Sequence, residues 1–187
     1  MPGTAISARR CGGTSFEYAR PAGLPVSGRL GYNRTGEGTL AVAVRLTRAQ
    51  FQVILAQARA EAPLECCGLL LGRGDVVEEV FPGRNVDETP HTRYLMDPGD
   101  ELRAFRLMDE RGWDLIGIYH SHPETEAYPS ATDRARAFDE KSRPLFPGTR
   151  YMIVSLREPD DPDVRAFRLH GDGDGNTRVD AEDVVVT

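Results

Sequence analysis

The stretch of this chain best equipped for chemistry is His120-Ser121-His122-Pro123-Glu124-Thr125-Glu126-Ala127-Tyr128-Pro129-Ser130-Ala131-Thr132-Asp133. Two histidines separated by one residue on an extended chain point to the same side, so both imidazoles can meet one metal ion. Asp133 stands one helical turn past Ser130 and can swing back as a third ligand. Three protein ligands leave the fourth position of a tetrahedral Zn2+ open, the arrangement of a catalytic site and not of a closed structural one. Hydrolysis there also needs a carboxylate to take a proton from water and pass it to the leaving amine. Glu65 is the candidate, because packing gives little reason for a lone acid directly before the apolar run Cys66-Cys67-Gly68-Leu69-Leu70-Leu71-Gly72. The Ser130 hydroxyl can stabilise the oxyanion as it forms.

Each of these residues also has a plainer role. His-X-His alone is a weak signal, Ser130-X-X-Asp133 fits a helix capping box, and Glu65 fits a solvated residue at the start of a strand. Ser130 can cap a helix and still face a metal. The plain readings give way to the joint occurrence in one order: Glu, then His-Ser-His, then seven residues, then Ser-X-X-Asp.

The elements that must position these groups follow from periodicity. Leu40, Val42, Val44 and Leu46 alternate as a half-buried strand. Thr47 then opens a helix with Gln50 placed to complete a capping box, with Phe51, Ile54, Leu55 and Ala58 on one face and Pro63 ending it. Residues 66–71 read as a buried strand and 76–81 as its hairpin partner. Asp97-Pro98 announces a second helix, with Leu102, Phe105 and Met108 on one side and Gly112 at its end. Residues 114–119 read as a strand that delivers the two histidines at its end, before a helix opening at Ser130. Residues 151–156 and 164–169 read as two more strands. Strands interleaved with three helices predict an α/β layered domain.

At 187 residues and 40% hydrophobic content, the chain has the length of one ordinary domain with material left for a tail. A formal net charge of -6 and a pI near 5.3 argue against a general electrostatic grip on nucleic acid or anionic lipid. No apolar run approaches the length of a membrane-spanning helix, and Arg9 and Arg10 precede any apolar core of a signal peptide, so a cytoplasmic protein is expected. Residues 1–39, with eight glycines and three prolines and no period, are expected to be a flexible N-terminal extension, and 40–187 the catalytic domain. Cys11, Cys66 and Cys67 are read as reduced thiols, and Cys66 and Cys67 as small buried apolar residues. His91 and His170 have no ligand partners at recognisable spacing. The acidic segment 172–183 imitates a calcium loop but places Thr177 where the sharp turn needs glycine, so a hairpin turn is expected there.

The four-part pattern resembles the signature of the JAMM (MPN-plus) metalloprotease family. That resemblance implies an α/β fold, a single MPN/JAMM domain with a curved mixed β-sheet flanked by about three helices, layered as in cytidine deaminases. It implies His120, His122 and Asp133 as Zn2+ ligands, Glu65 as the general acid/base and Ser130 as the oxyanion donor. The segments Tyr119-His120-Ser121-His122, Tyr151-Met152-Ile153-Val154-Ser155 and Arg165-Ala166-Phe167-Arg168-Leu169 look like the bacterial Mec-type members. Those hydrolyse an amino acid off a ubiquitin-like sulfur-carrier protein ending in Gly-Gly, releasing cysteine. Departures are the N-terminal extension, Pro123 and a long loop over 142–148. An isopeptidase that removes ubiquitin-like modifiers from lysines is the rival within enzymes. A non-catalytic MPN scaffold is the rival outside them, although such scaffolds usually lack part of the ligand set that is complete here.

Overall fold

A computed structural model describes residues 43–171 and 176–187. The expected extension over 1–39, the start of the first strand at Leu40 and Val42, and residues 172–175 of the acidic segment lie outside them.

The described chain runs β1 (Ala43–Leu46), α1 (Arg48–Glu61), β2 (Cys67–Arg73), β3 (Val76–Gly83), α2 (Pro98–Arg111), β4 (Asp114–His122), α3 (Ala131–Arg136), β5 (Arg150–Ser155), β6 (Asp163–Gly171) and β7 (Thr177–Val186). The helices start where side chains satisfy their free N–H groups. The Thr47 and Gln50 side chains form a reciprocal capping box on α1, and the Asp97 carboxylate accepts from the Gly99 and Asp100 N–H groups at the start of α2. Gly112 ends α2 in the left-handed conformation, φ 62°, that a residue with a Cβ adopts at a cost.

The strands form one mixed sheet in the order β1-β3-β2-β4-β5-β6-β7, closed by parallel pairing of β1 with β7. The α/β class and the three helices agree with expectation. The closure does not follow from the sequence pattern, because β7 alternates only between exposed and half-buried residues and carries no strong apolar signature. Its far end is tied by the Thr187 N–H to the Leu46 carbonyl and by the Arg48 N–H to the Thr187 carbonyl. On the other side β7 pairs antiparallel with β6, in the register Gly171 with Thr177, as a hairpin requires.

β2 and β5 are buried on both faces, and their side chains alternate between two cores. Leu70, Met152 and Val154 join Val44, Ile54, Leu55, Ala58 and Tyr119 in one cluster, into which α1 packs. Leu69, Leu71 and Tyr151 join Ala104, Ile118 and Leu169 in a second, against which Met108 of α2 and Trp113 pack. Gly68 allows the two central strands to pass, since a Cβ there would stand 2.2 Å from the Tyr119 ring. The Tyr119 hydroxyl, buried beneath, donates to Gln57 Oε1 of α1 at 2.5 Å.

Candidate metal centre

The strand expected to end at Tyr119 continues through both histidines. His120 pairs with Cys67 of β2 and Ile153 of β5, and His122 pairs with Ser155. Because both histidines stay on pleated strand, their rings point to the same face and the two Nε2 atoms approach to 3.0 Å. Asp133 Oδ2 lies 3.4 Å from His120 Nε2 and 3.5 Å from His122 Nε2. All three side chains are buried. Two imidazole nitrogens and a carboxylate oxygen, gathered within 4.8 Å of one another, make a donor set that fits a divalent cation of zinc type.

Asp133 is delivered by the start of α3. The Ser130 N–H donates to Asp133 Oδ2 at 2.7 Å, and the Asp133 N–H donates to Ser130 Oγ at 3.1 Å, a reciprocal capping box. The capping and metal-facing readings of Ser130-X-X-Asp133 therefore coexist in one geometry. As cap, the Ser130 hydroxyl accepts through a lone pair and keeps its proton for another acceptor.

His122 Nδ1 lies 2.9 Å from the carbonyl oxygen of Glu126. A carbonyl only accepts, so Nδ1 carries the proton and, in the neutral ring, Nε2 presents its lone pair. His120 has no such partner, and its Nδ1 is a buried polar atom without a hydrogen bond. Burial holds His120 below the ordinary imidazole range. Burial also works against charge on His122, but Asp133 and the Glu126 carbonyl outweigh it and raise that group. Asp133 is held far below the usual carboxylate range: burial opposes ionisation, and hydrogen bonding to His120, His122 and Ser130 overcomes it.

Glu65 is not a solvated residue at the start of a strand. It is 5% exposed, and its Oε2 is buried without a partner. Burial pushes its carboxyl up to about 7, with His122 pulling it down and Asp133 and Asp87 pushing it further up. A carboxyl poised near neutrality beside the His–His–Asp group has the proton affinity that general acid/base work requires. Its backbone is held from two sides: its N–H donates to the Pro90 carbonyl at 2.7 Å, and Asn85 Nδ2 donates to its carbonyl at 2.8 Å. The next residue is locked to β4, where Cys66 N–H donates to Ser121 Oγ at 2.8 Å.

Cys66 and Cys67 are fully buried, as expected of small apolar residues. Burial pushes the Cys66 thiol up to about 12, and Cys67 is also raised. His91 and His170 lie outside the His–His–Asp group, beside the Pro63 carbonyl and Asp180 respectively.

Sequence reasoning missed the loop over 84–97, which carries Asn85, Asp87, Pro90 and Tyr94. The Asn85 amide makes four hydrogen bonds, to the Glu65 and Arg93 carbonyls and from the Asp87 and Leu95 N–H groups. Tyr94 stacks on His120 with ring centroids 4.5 Å apart and planes at 24°. Arg136 of α3 grips the loop, Nη1 donating to Asp87 Oδ2 at 2.8 Å and to the Tyr94 carbonyl at 2.9 Å. Their contacts to the site carry no spacing signal, because Glu65, His120 and Arg136 lie 20 or more positions away.

With this geometry in place, comparison with known proteins adds the following. The family model described as prokaryotic homologs of the JAB domain matches residues 47–170. The CysO-cysteine peptidase of Mycobacterium tuberculosis is 36% identical over 118 residues, 62% of this chain and 75% of that protein. The desampylase of Haloferax volcanii is 39% identical over 100 residues, 52% of this chain and 67% of that protein. The solution structure of a protein from Desulfitobacterium hafniense matches with TM-score 0.63 and 40% identity, covering 76% of this chain and 92% of the other. The match spans α1 to β6 and so includes Glu65 and the whole His120–Asp133 segment; the chain belongs to the family of prokaryotic homologs of the JAB domain.

Proposed function

We propose that this protein is a zinc-dependent peptidase that cleaves the bond after the C-terminal Gly-Gly of a ubiquitin-like sulfur-carrier protein and releases cysteine. The observation that carries the reading is the convergence of His120, His122 and Asp133 within 4.8 Å of one another, beside a Glu65 carboxyl raised to about 7. The kinship with the CysO-cysteine peptidase supports the substrate class.

His120 Nε2, His122 Nε2 and Asp133 would hold the zinc ion. Bound there, it supplies Lewis acidity toward a carbonyl and lowers the cost of deprotonating water. Glu65 takes the proton of the attacking water at its buried Oε2 and returns it to the leaving amine. Its raised pKa suits both halves of that transfer. The Ser130 hydroxyl, with its proton uncommitted, donates to the developing oxyanion, an interaction worth about 3 kcal/mol in comparable sites. A Gly-Gly tail suits a narrow approach because it has no side chains to exclude it.

The test is incubation with a purified carrier–cysteine conjugate, with and without a chelator. Free cysteine and carrier should appear, stop with chelator and resume with added Zn2+. Hydrolysis indifferent to the chelator would overturn the metal reading. The kinship with a desampylase favours a second reading, an isopeptidase acting on lysine-linked conjugates. Product analysis separates the two: free cysteine from one, an unmodified target protein from the other.

A further inference from the structure

The two histidines are held by different means. Metal-ligating histidines are ordinarily oriented by a hydrogen bond from the other ring nitrogen, and His122 follows that rule through the Glu126 carbonyl. His120 departs from it. Its Nε2 faces His122 Nε2 and Asp133, but its Nδ1 is buried with no hydrogen-bond partner, so no polar contact holds that edge of the ring. The contact that can do so is the Tyr94 ring, stacked nearly parallel on the imidazole. Tyr94 is in turn fixed through its own carbonyl by Arg136, which also pairs with Asp87 further back in the loop. Arg136 belongs to the short helix whose first turn carries Asp133. One guanidinium thus joins the support of one ligand to the element that bears another.

We propose that Tyr94 is the positioning residue for His120, replacing by ring stacking the hydrogen bond that His120 lacks, and that Arg136 holds Tyr94 in register with Asp133. This inference rests on the reading of His120, His122 and Asp133 as a metal site. It concerns the face of the aromatic ring, so the hydroxyl of Tyr94 is dispensable and its planarity is not.

The test measures Zn2+ affinity of the full chain by competition with a chromophoric chelator, in wild type, Tyr94→Phe, Tyr94→Leu and Arg136→Met. Thermal melting of each metal-free protein establishes that it is folded. Tyr94→Phe should bind Zn2+ within about twofold of wild type, and Tyr94→Leu about 10- to 100-fold more weakly, the range found when the support of a ligand is removed. Arg136→Met should fall between them. A folded Tyr94→Leu with wild-type affinity overturns the proposal, as does a Tyr94→Phe that loses as much as Tyr94→Leu. If Tyr94→Leu does not fold, Arg136→Met decides: a several-fold loss upholds the proposal and wild-type affinity overturns it. Failure of the wild type itself to bind Zn2+ is a different result, which removes the metal reading and this inference with it.

Discussion

The site has two sides, and they are built by different means. The segment from β4 to α3 holds His120, His122, Ser130 and Asp133 within fourteen residues, and most of its polar contacts close within that span, from His122 to Glu126 and between Ser130 and Asp133. The opposite side, the start of β2 with the loop over 84–97, holds Glu65 by contacts that span 20 residues or more, to Asn85 and Pro90. The first side meets most of its polar needs within its own span, His120 Nδ1 excepted, and its donor set is suited to holding a cation. The second keeps a carboxylate oxygen buried without a partner, at a cost that only a rigid surround can sustain. The difference teaches that the proposed metal ligands are brought together largely by local spacing, with Tyr94 added from a distant loop, and the proposed base by assembly.

Substitutions on the two sides should therefore fail differently. The largest effect belongs to the cation side. His122→Ala should lose its zinc, measured by metal analysis after dialysis, and its hydrolysis should drop to the level of the chelated enzyme. Next comes the proton side. Glu65→Gln should keep zinc at the wild-type stoichiometry while losing about 10² to 10⁴ in rate. Loss of zinc in that variant would erase the division between the two sides.

A smaller effect is expected one step back from Glu65. Asn85→Ala leaves the Glu65 and Arg93 carbonyls and the Asp87 and Leu95 N–H groups short of a partner; two of these bonds are exposed and two half-buried, so the loss is about 1 kcal/mol. Urea denaturation should register that loss, and turnover should fall with zinc retained; equal loss of zinc and turnover would place Asn85 on the cation side instead.

The last expected effect is a pH dependence of stability. Glu65 sits near 7 when folded, against an ordinary 4.5. Between those values the folded protein keeps a proton that the unfolded chain releases, so stability falls as pH rises through that window and levels off above it. Metal-free wild type should thus lose stability relative to Glu65→Gln between about pH 4.5 and 7. A constant difference across that range would mean that the Glu65 carboxyl is not raised.

How much of this was legible follows from the range of the contacts. The capping boxes at Thr47 and Ser130, the N-cap at Asp97 and the stop at Gly112 are each decided within a turn of helix, and all lie where the sequence places them. The 76–81 partner of the hairpin falls within β3. The strand read as 114–119 runs on through His122, because pairing with β2 and β5 extends it beyond its apolar stretch. Glu65 stood out only as an acid before an apolar run. Tyr94, Asn85 and Arg136 carry no local mark: Asn85 acts once the loop over 84–97 meets Glu65, and Tyr94 and Arg136 once that loop meets β4 and α3.

By itself, then, the sequence determined the α/β class, the helices and hairpin, and the His-X-His and Ser-X-X-Asp pattern, because strand pleat and helical turn are short-range geometry that residue spacing specifies. The tertiary structure alone decided that β7 closes the sheet on β1, that Glu65 is buried and raised toward neutrality, and that Tyr94 covers His120. Those outcomes depend on desolvation and on contacts between distant segments, which no local spacing encodes.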